Sequence, residues 1–355
     1  MSNSFASLVL ALSVIIAATS CEHKELCYYH PHVAPVRVNV DWSLFTMEDP
    51  TGMTAYAYPL HEDDNDIYRF ISHNINYITL DLEAGSFNTI VFNQSESEYG
   101  SFEFINLEDY NSAQVRVLST KSNWYSTKAP ETKVGTEPEW LGVGRAENIE
   151  VTEEMVKIAE EEYLAAHQDI MAPRTGRVIN NVATVTPVSV IKQVEFRVYG
   201  EGLYNLRSVR AAVEGMAEGC LFSTGKATEN IVAHTMENWR VETLENDPAS
   251  GDITTTLLTF GIPEGHNGAP EANKFSMSLL LVDNKTVLNY EYHIGDILAQ
   301  FKDMDGLDGQ IQKVVVRLEL PERLPDVQPV GGSGGGFDAD VDDWGDEITT
   351  EIPIK

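Results

Sequence analysis

The stretch Val36-Arg37-Val38-Asn39-Val40-Asp41-Trp42 alternates apolar and polar residues with a period of two. Successive side chains of a β-strand point to opposite faces of its sheet, so this alternation predicts a strand with one buried face. Similar short segments follow at close spacing, without the long interleaved helices of a parallel α/β fold. That spacing favours a mostly β protein built from β-sandwiches. The further predicted strands are 53–58, 77–82, 87–92, 102–105, 114–118, 188–199, 253–260, 275–282, 287–293 and 310–320.

Three local features refine this pattern. Gly85 predicts a tight turn between the strands 77–82 and 87–92, and Asn284-Lys285 predicts a hairpin turn between 275–282 and 287–293. Residues 208–216 fit either a helix or a strand.

One segment, residues 152–170, predicts an amphipathic helix. Met155, Ala159, Tyr163 and His167 recur at intervals of four, which places them on one face of a helix. Thr152 is a suitable N-cap, because its hydroxyl can accept a hydrogen bond from a free backbone N–H of the first turn. We expect this helix to pack on a sandwich near the junction of two domains.

The chain of 355 residues is long enough for two domains. We predict an N-terminal sandwich over residues 36–174, which includes the helix, and a C-terminal sandwich over 175–328. The short polar segment 175–186 is the predicted boundary. Residues 329–355 form a glycine-rich hinge and an acidic segment. Within it, 337–354 is predicted either as a strand that completes the chain's own sheet or a partner's, or as a solvated tail.

The N-terminus is typical of a bacterial lipoprotein signal. Residues 1–20 carry no charge and contain an apolar core too short to span a bilayer, and small residues lead to Cys21. Cleavage before Cys21 would lipidate its thiol and leave 21–35 as a tether outside the cytoplasm. The first five residues lack Lys and Arg, and Ala18 stands where such signals usually have Leu, so an ordinary secretory signal is the alternative.

The charge balance excludes some partners. The formal net charge is −31, from 24 Lys and Arg against 55 Asp and Glu. Nucleic acid binding needs clustered basic residues, and anionic lipid headgroups would repel this surface. Hydrophobic residues make up 43% of the chain, which is enough to fill real cores. We therefore predict a folded protein attached to a membrane by covalent lipid.

The motifs that could carry chemistry are weak. Ser333 lies in a G-x-S-x-G match, but the run is almost pure glycine and lacks the strand and helix that a nucleophile elbow requires. Glu162 and His167 are five residues apart and do not share a helix face. Walker and dinucleotide-binding motifs do not occur in the sequence. The prediction is a protein that is not an enzyme and has no cofactor.

Two groups of residues suggest metal binding, but a mobile tether is the favoured interpretation of the first and solvated turns of the second. His23, Cys27, His30 and His32 offer soft ligands at a spacing that fits no closed zinc pattern. Acidic loops at 62–66 and 303–309, and four aspartates of the tail, offer oxygen ligands without the order of an EF-hand. Cys27 and Cys220 could form a disulfide in an oxidising compartment, although separate thiols are the default.

Several short motifs resemble a family of Bacteroidales lipoproteins related to the FimB-like anchor subunits of type V pili. They begin with Cys21-Glu22-His23-Lys24-Glu25-Leu26-Cys27 and His30-Pro31-His32. The other matching stretches are 38–43, 52–53, 58–59, 82–85, 91–93, 205–206, 215–217, the helix 153–163 and the closing stretch 337–344.

The resemblance implies two tandem transthyretin-like β-sandwiches and a lipid-anchored, surface-exposed protein of the outer membrane. It also implies that fimbrial subunits, themselves β-sandwich pilins, are its partners in anchoring and assembly through β-strand contacts. Strand addition of this kind draws affinity from main-chain hydrogen bonds.

A surface protein that binds glycans or host proteins is the alternative function, since Trp124, Tyr125 and Trp140 could stack on sugar rings. A secreted hydrolase with a carboxylate pair is the least favoured of the three.

Overall fold

The computed structural model describes residues 32–61, 67–129, 131–168, 179–304, 312–330 and 348–351. The strands are β1 (Ala34–Val40), β2 (Met53–Pro59), β3 (Tyr68–Ser72), β4 (Tyr77–Leu82), β5 (Gly85–Asn93), β6 (Phe102–Ile105), β7 (Gln114–Val117), β8 (Ser119–Thr120), β9 (Val134–Gly135), β10 (Gly142–Val151), β11 (Asn180–Val185), β12 (Val188–Ser189), β13 (Lys192–Glu201), β14 (Leu206–Ala217), β15 (Gly219–Leu221), β16 (Ile231–Met236), β17 (Arg240–Leu244), β18 (Asp247–Thr259), β19 (Lys274–Leu281), β20 (Val287–His293), β21 (Lys313–Glu319) and β22 (Ile348–Glu351). The α-helices are α1 (Asn123–Lys128), α2 (Glu153–Gln168) and α3 (Gly295–Leu298). Short 3-10 helices lie at Trp42–Leu44, Glu96–Glu98, Leu203–Asn205, Pro270–Ala272 and Ala299–Met304. The prediction of a mostly β protein is confirmed.

The N-terminal part of the chain contains two sheets that share a hydrophobic core. One sheet has the strand order β11-β1-β4, and the other has the order β12-β10-β5-β2-β3. Val36 and Val38 of β1, Ala55 of β2 and Val91 of β5 are fully buried in this first core. The alternation that predicts β1 therefore reflects a real buried face.

Helix α2 packs against the first core. Its Val156 and Ala159 are buried there, and Thr152 caps it, since the backbone N–H of Met155 donates a hydrogen bond to the Thr152 hydroxyl at 3.2 Å. The predicted cap is confirmed, and so is the packing of Ala159 and the partly buried Met155; Tyr163, predicted on the same face, is exposed.

Two further sheets, built from C-terminal strands together with β8 and β9, surround a second core. Their strand orders are β17-β18-β13-β21 and β22-β20-β19-β14-β16-β9-β8. Phe196 of β13 and Phe275 of β19 stack at the centre, with ring centroids 4.8 Å apart. Each sheet contributes one ring, so this stack joins the two sheets through their inner faces.

A middle core lies between these two and was not predicted. It occupies the opposite face of β2, β5 and β10 and includes the small sheet β15-β7-β6. Phe92 of β5 stacks on Phe222 from the C-terminal half, with centroids 5.6 Å apart. Strand β7 also pairs with β15, which lies about 100 residues later in the chain. The two halves of the chain therefore share one layer of buried aromatic rings.

Two local predictions need correction. The polar segment predicted as a boundary contains β11, which pairs in parallel with β1 and closes the first sheet. Its polar residues fit an edge strand, because one side of β11 has no neighbour among the described strands. The segment 188–199 forms two strands, β12 and β13. The Ser189 hydroxyl donates a hydrogen bond to the carbonyl of Ile191 and accepts one from its backbone N–H, and this local turn interrupts the strand.

The turn predictions have mixed outcomes. The turn before Gly85 does not form a hairpin, because β4 pairs with β1 in one sheet while β5 pairs with β2 and β10 in the other. Asn284 does lie in a hairpin turn between β19 and β20, with φ of 59°. The carboxylate of Asp283 accepts hydrogen bonds from the backbone N–H groups of Lys285 and Thr286 and fixes that turn. The ambiguous segment 208–216 is part of strand β14.

Candidate functional site

Strand β1 is held on both sides where the predicted tether enters the fold. It pairs antiparallel with β4 from Ala34 to Asn39 and in parallel with β11 from Val36 to Val40. Ala34 and Val36 are fully buried at its start. A pull on the N-terminus would therefore load two hydrogen-bonded ladders at once.

The predicted lipidation residue and most of the tether lie outside the described residues. Cys21, His23, Cys27 and His30 belong to that part, so lipidation and the metal set stay predictions. His32 is described, and its Nδ1 lies 2.5 Å from Oε1 of Glu160 in α2. This contact ties the last tether residues to the helix that packs on β1.

The C-terminal strand β22 extends the seven-stranded sheet. It runs parallel to β20, with the pairs Leu288↔Ile348, Asn289↔Thr349, Tyr290↔Thr350 and Glu291↔Glu351. It is the terminal strand of this sheet among the described strands. For these four residues the structure shows the predicted strand, and it completes the chain's own sheet. The rest of 329–355 from Gly331 onward, including Ser333 and the tail aspartates, lies outside the described residues.

The supporting strand β20 is firmly held without β22. Tyr290 and Tyr292 are buried in the second core, and the Tyr292 hydroxyl donates a hydrogen bond of 3.0 Å to the carbonyl oxygen of Glu319 in β21. Burial raises the pKa of the Tyr292 phenol above its usual range. β20 also pairs along its full length with β19. If β22 left, the edge of β20 would be exposed as a template for another strand.

The other predicted chemical residues do not assemble into a site. The acidic loop 62–66 and most of 303–309 fall outside the described residues, as does the side chain of His167. Among the residues that the structure does describe, no three His, Cys, Asp or Glu side chains are placed to hold a metal. Cys220 is buried, and burial raises the pKa of its thiol to about 12, so it is not a reactive thiolate.

The three aromatic residues predicted to stack on sugars have different surroundings. Tyr125 is buried in a small cluster between α1 and the seven-stranded sheet, and Trp124 packs against the same cluster. Trp140 is partly buried and borders a cavity of about 480 Å³ with Glu137, Glu139 and Gln94. Trp140 therefore lies at a cavity.

The membrane predictions concern the N-terminus. No helix in the described part of the chain is long and apolar enough to cross a bilayer.

Similarity to other proteins places this chain in a family. A family model described as "Domain of unknown function (DUF5119)" matches residues 20–237, more than half of the chain. The chain belongs to the DUF5119 family. Over 366 aligned positions it is 20% identical to the curated Bacteroides ovatus protein "Putative fimbrium anchoring subunit Fim4B", and the alignment covers 100% of both chains.

A solved structure shows a fold similar to that of this DUF5119 protein. The crystal structure of a "putative adhesin" from Bacteroides ovatus has a TM-score of 0.53 at 13% identity, covering 87% of this chain and 99% of that one. The fimbrial anchor protein Mfa2 from Porphyromonas gingivalis gives a TM-score of 0.46 at 10% identity, covering 81% and 90%. The resemblance to Bacteroidales fimbrial anchor proteins, inferred from short motifs, is confirmed by the full-length match to the fimbrium-anchoring relative and by the family model.

Proposed function

We propose that this protein is a lipid-anchored protein of the outer membrane, exposed at the cell surface, that anchors and assembles fimbriae through strand contacts with other fimbrial subunits. Cys21 is the proposed acylation site. The full-length similarity to a relative named for fimbrium anchoring supports this function. The protein acts by contact and not by catalysis.

The observation that carries the proposal is the placement of β22. It adds four residues in parallel to the edge strand β20, which is already paired with β19 and buried in the second core. Each backbone hydrogen bond contributes a net stabilisation of about 0.5–1.5 kcal/mol, so a ladder this short is readily exchanged. A strand of another subunit can take the same edge, where main-chain bonds supply affinity.

The buried strand β1 suits the anchoring role. A lipid on Cys21 would be linked through residues 21–35 to a strand that is paired on both sides. Detaching it would break two ladders and expose Val36 and Val38 to water. The tether thus enters the fold at a mechanically resistant point.

The proposed architecture is two tandem transthyretin-like β-sandwich domains, predicted as 36–174 and 175–328, with β11 and β12 added to the first because they pair with its strands. They follow a signal peptide at 1–20 and the tether at 21–35, and they precede the hinge and tail at 329–355. Support comes from two hydrophobic cores, each lined by strands of two sheets.

Two experiments test the proposal. For the anchor, Cys21→Ser should abolish incorporation of labelled palmitate and move the protein out of the outer-membrane fraction; Cys220→Ser is the matched control and should retain both. Unchanged labelling and fractionation of Cys21→Ser would reject the proposed anchor.

For the strand, a chain ending at Val330 should show faster deuterium uptake over β20 than the full chain. Adding a synthetic peptide of residues 337–355 should restore protection, and a scrambled peptide of the same composition should not. Equal uptake by the two chains, or equal protection by the two peptides, would contradict an exchangeable edge.

A surface protein that binds glycans or host proteins remains the second candidate. Trp140 at a cavity with Glu137 and Glu139 favours it, since an indole face beside hydrogen-bond acceptors suits a sugar ring. Binding on a glycan array that is lost in Trp140→Ala and kept in Trp239→Ala would support this function.

A further inference from the structure

A second cavity, of about 550 Å³, lies where the N-terminal and C-terminal parts of the chain meet. Its lining includes Arg145 of β10, Ser189 of β12, Lys192 and Lys302. The loops 224–227 and 262–265 also contribute to it. A volume of this size is typical of sites for small ligands. None of the lining residues belongs to β20 or β22, so this cavity is separate from the proposed strand site.

The charge of this cavity is opposite to that of the protein. Its described lining includes four cationic side chains, Arg145, Lys192, Lys226 and Lys302, and one carboxylate, Glu264. Lys226 and Glu264 approach to 3.5 Å and offset each other. The remaining positive charge stands out in a chain with a formal net charge of −31. Cations concentrated between low-dielectric walls attract anions.

Arg145 is the central observation. Its Nε donates a hydrogen bond to the carbonyl oxygen of Phe222, and its Nη2 is enclosed without a hydrogen-bond partner. The guanidinium lies directly against Gly225, where the Cβ of any larger residue would be 2.7 Å from Nη2. Gly225 has φ of 73°, so glycine suits both the backbone and the close approach. Among the described residues no carboxylate forms an ion pair with Arg145.

A half-buried guanidinium without an ion-pair partner is costly, because burial removes water from the charge; the charge of Glu147 offsets part of this cost. Burial accordingly lowers the pKa of Arg145. A bound oxyanion would place a negative charge in direct contact with Arg145, and a guanidinium matches the two oxygens of a carboxylate or phosphate. The hydroxyl of Thr224, which also lines the cavity, can donate a further hydrogen bond.

We propose that this cavity is an oxyanion-binding site, in which Arg145 and Lys302 hold the carboxylate or phosphate group of a small ligand. The site is independent of strand exchange, because it uses other elements of the fold. A ligand here would contact both halves of the chain at once.

Isothermal titration calorimetry on the purified full-length protein tests this site. The probes are inorganic phosphate and citrate, each at an ionic strength matched with sodium chloride. We expect saturable binding of at least one probe, weakened about tenfold or more by Arg145→Gln, since a charged hydrogen bond contributes about 1.5–3 kcal/mol. Binding of phosphate alone assigns a phosphate-bearing ligand, and binding of citrate alone assigns a carboxylate.

The matched control for charge is Lys285→Gln, which removes one positive charge from the exposed β19–β20 turn. Lys302→Gln should weaken binding of the probe clearly more than Lys285→Gln does. If Arg145→Gln does not fold, the comparison of these two lysine variants tests the site. No binding of either probe, equal effects of the two lysine variants, or full binding by a folded Arg145→Gln protein would overturn the proposal.

Discussion

Strands β1 and β22 are the first and last strands of the described chain, and they are held in opposite ways. β1 lies inside a sheet, pairs with a neighbour on each side and is buried. β22 is four residues long and pairs on one side with β20. One end of the chain is thus built to resist removal, whereas the other is built to be exchanged. That difference is what a subunit fixed to a surface and joined to a neighbour requires.

The largest expected effect comes from breaking β1. Val36→Asp places a charge at a fully buried position without a partner and should lower the free energy of unfolding by about 4 kcal/mol or more. Urea denaturation followed by circular dichroism measures this. Val241→Asp, at a position that is 45% exposed in β17, is the matched control and should change stability by less than about 0.5 kcal/mol. Similar losses of unfolding free energy in both variants would contradict the claim that β1 is buried and held on both sides.

The middle core extends the comparison to the two halves of the chain. Phe222→Ala removes a fully buried ring that stacks on Phe92 and should cost about 3–4 kcal/mol. The two halves of the chain should then unfold independently, and calorimetry should show two separate unfolding transitions. Tyr204→Ala, at an aromatic side chain that is 54% exposed, should leave a single transition. A cost below about 1 kcal/mol for Phe222→Ala would argue against a shared core.

A pH titration tests a buried histidine in the sheet that contains β22. His234 of β16 is buried in the seven-stranded sheet, and burial lowers its pKa to about 4 from 6.5. Between pH 6.5 and 4 the imidazole of His234 is therefore protonated in the unfolded chain but neutral in the folded chain. The free energy of unfolding accordingly falls as the pH drops from 6.5 to 4. The loss attributable to His234 should approach about 3 kcal/mol.

The pH experiment needs two variants. His234→Leu should flatten the decrease in unfolding free energy over that pH range, whereas His293→Gln, at an exposed position of β20, should not. An unchanged slope in His234→Leu would show that other groups cause the acid sensitivity.

The smallest effect should follow removal of β22. A chain ending at Val330 should lose about 1–2 kcal/mol of unfolding free energy, because few hydrogen bonds on one edge are removed. Chemical denaturation of the truncated and full chains measures the difference. A loss as large as that of Val36→Asp would mean that β22 is an integral part of the core.

Strands with a clear alternation were predictable from the sequence. The predicted limits of β4, β6 and β20 agree with the structure, because each has one buried face or a clear turn beside it. Helix α2 was predictable from its period and its Thr152 cap. The weakly apolar β11 was missed, since its strand character depends on pairing with β1, more than 100 residues away.

The middle core could not be predicted from the sequence for a related reason. The strands β2 and β5 are buried on both faces, and one sequence position shows only that a residue is apolar, not which core it enters. The cavity around Arg145 likewise depends on loops that meet only in the folded chain. The tail was predicted as a strand or a solvated segment, but its parallel register with β20 required the structure.

Hydrogen exchange on the intact protein tests the central contrast most directly. Backbone amides of Ile348–Glu351 should exchange at least about 100-fold faster than those of Ala34–Val40, because β22 opens locally while β1 opens with the core. Equal protection of the two strands would contradict the account.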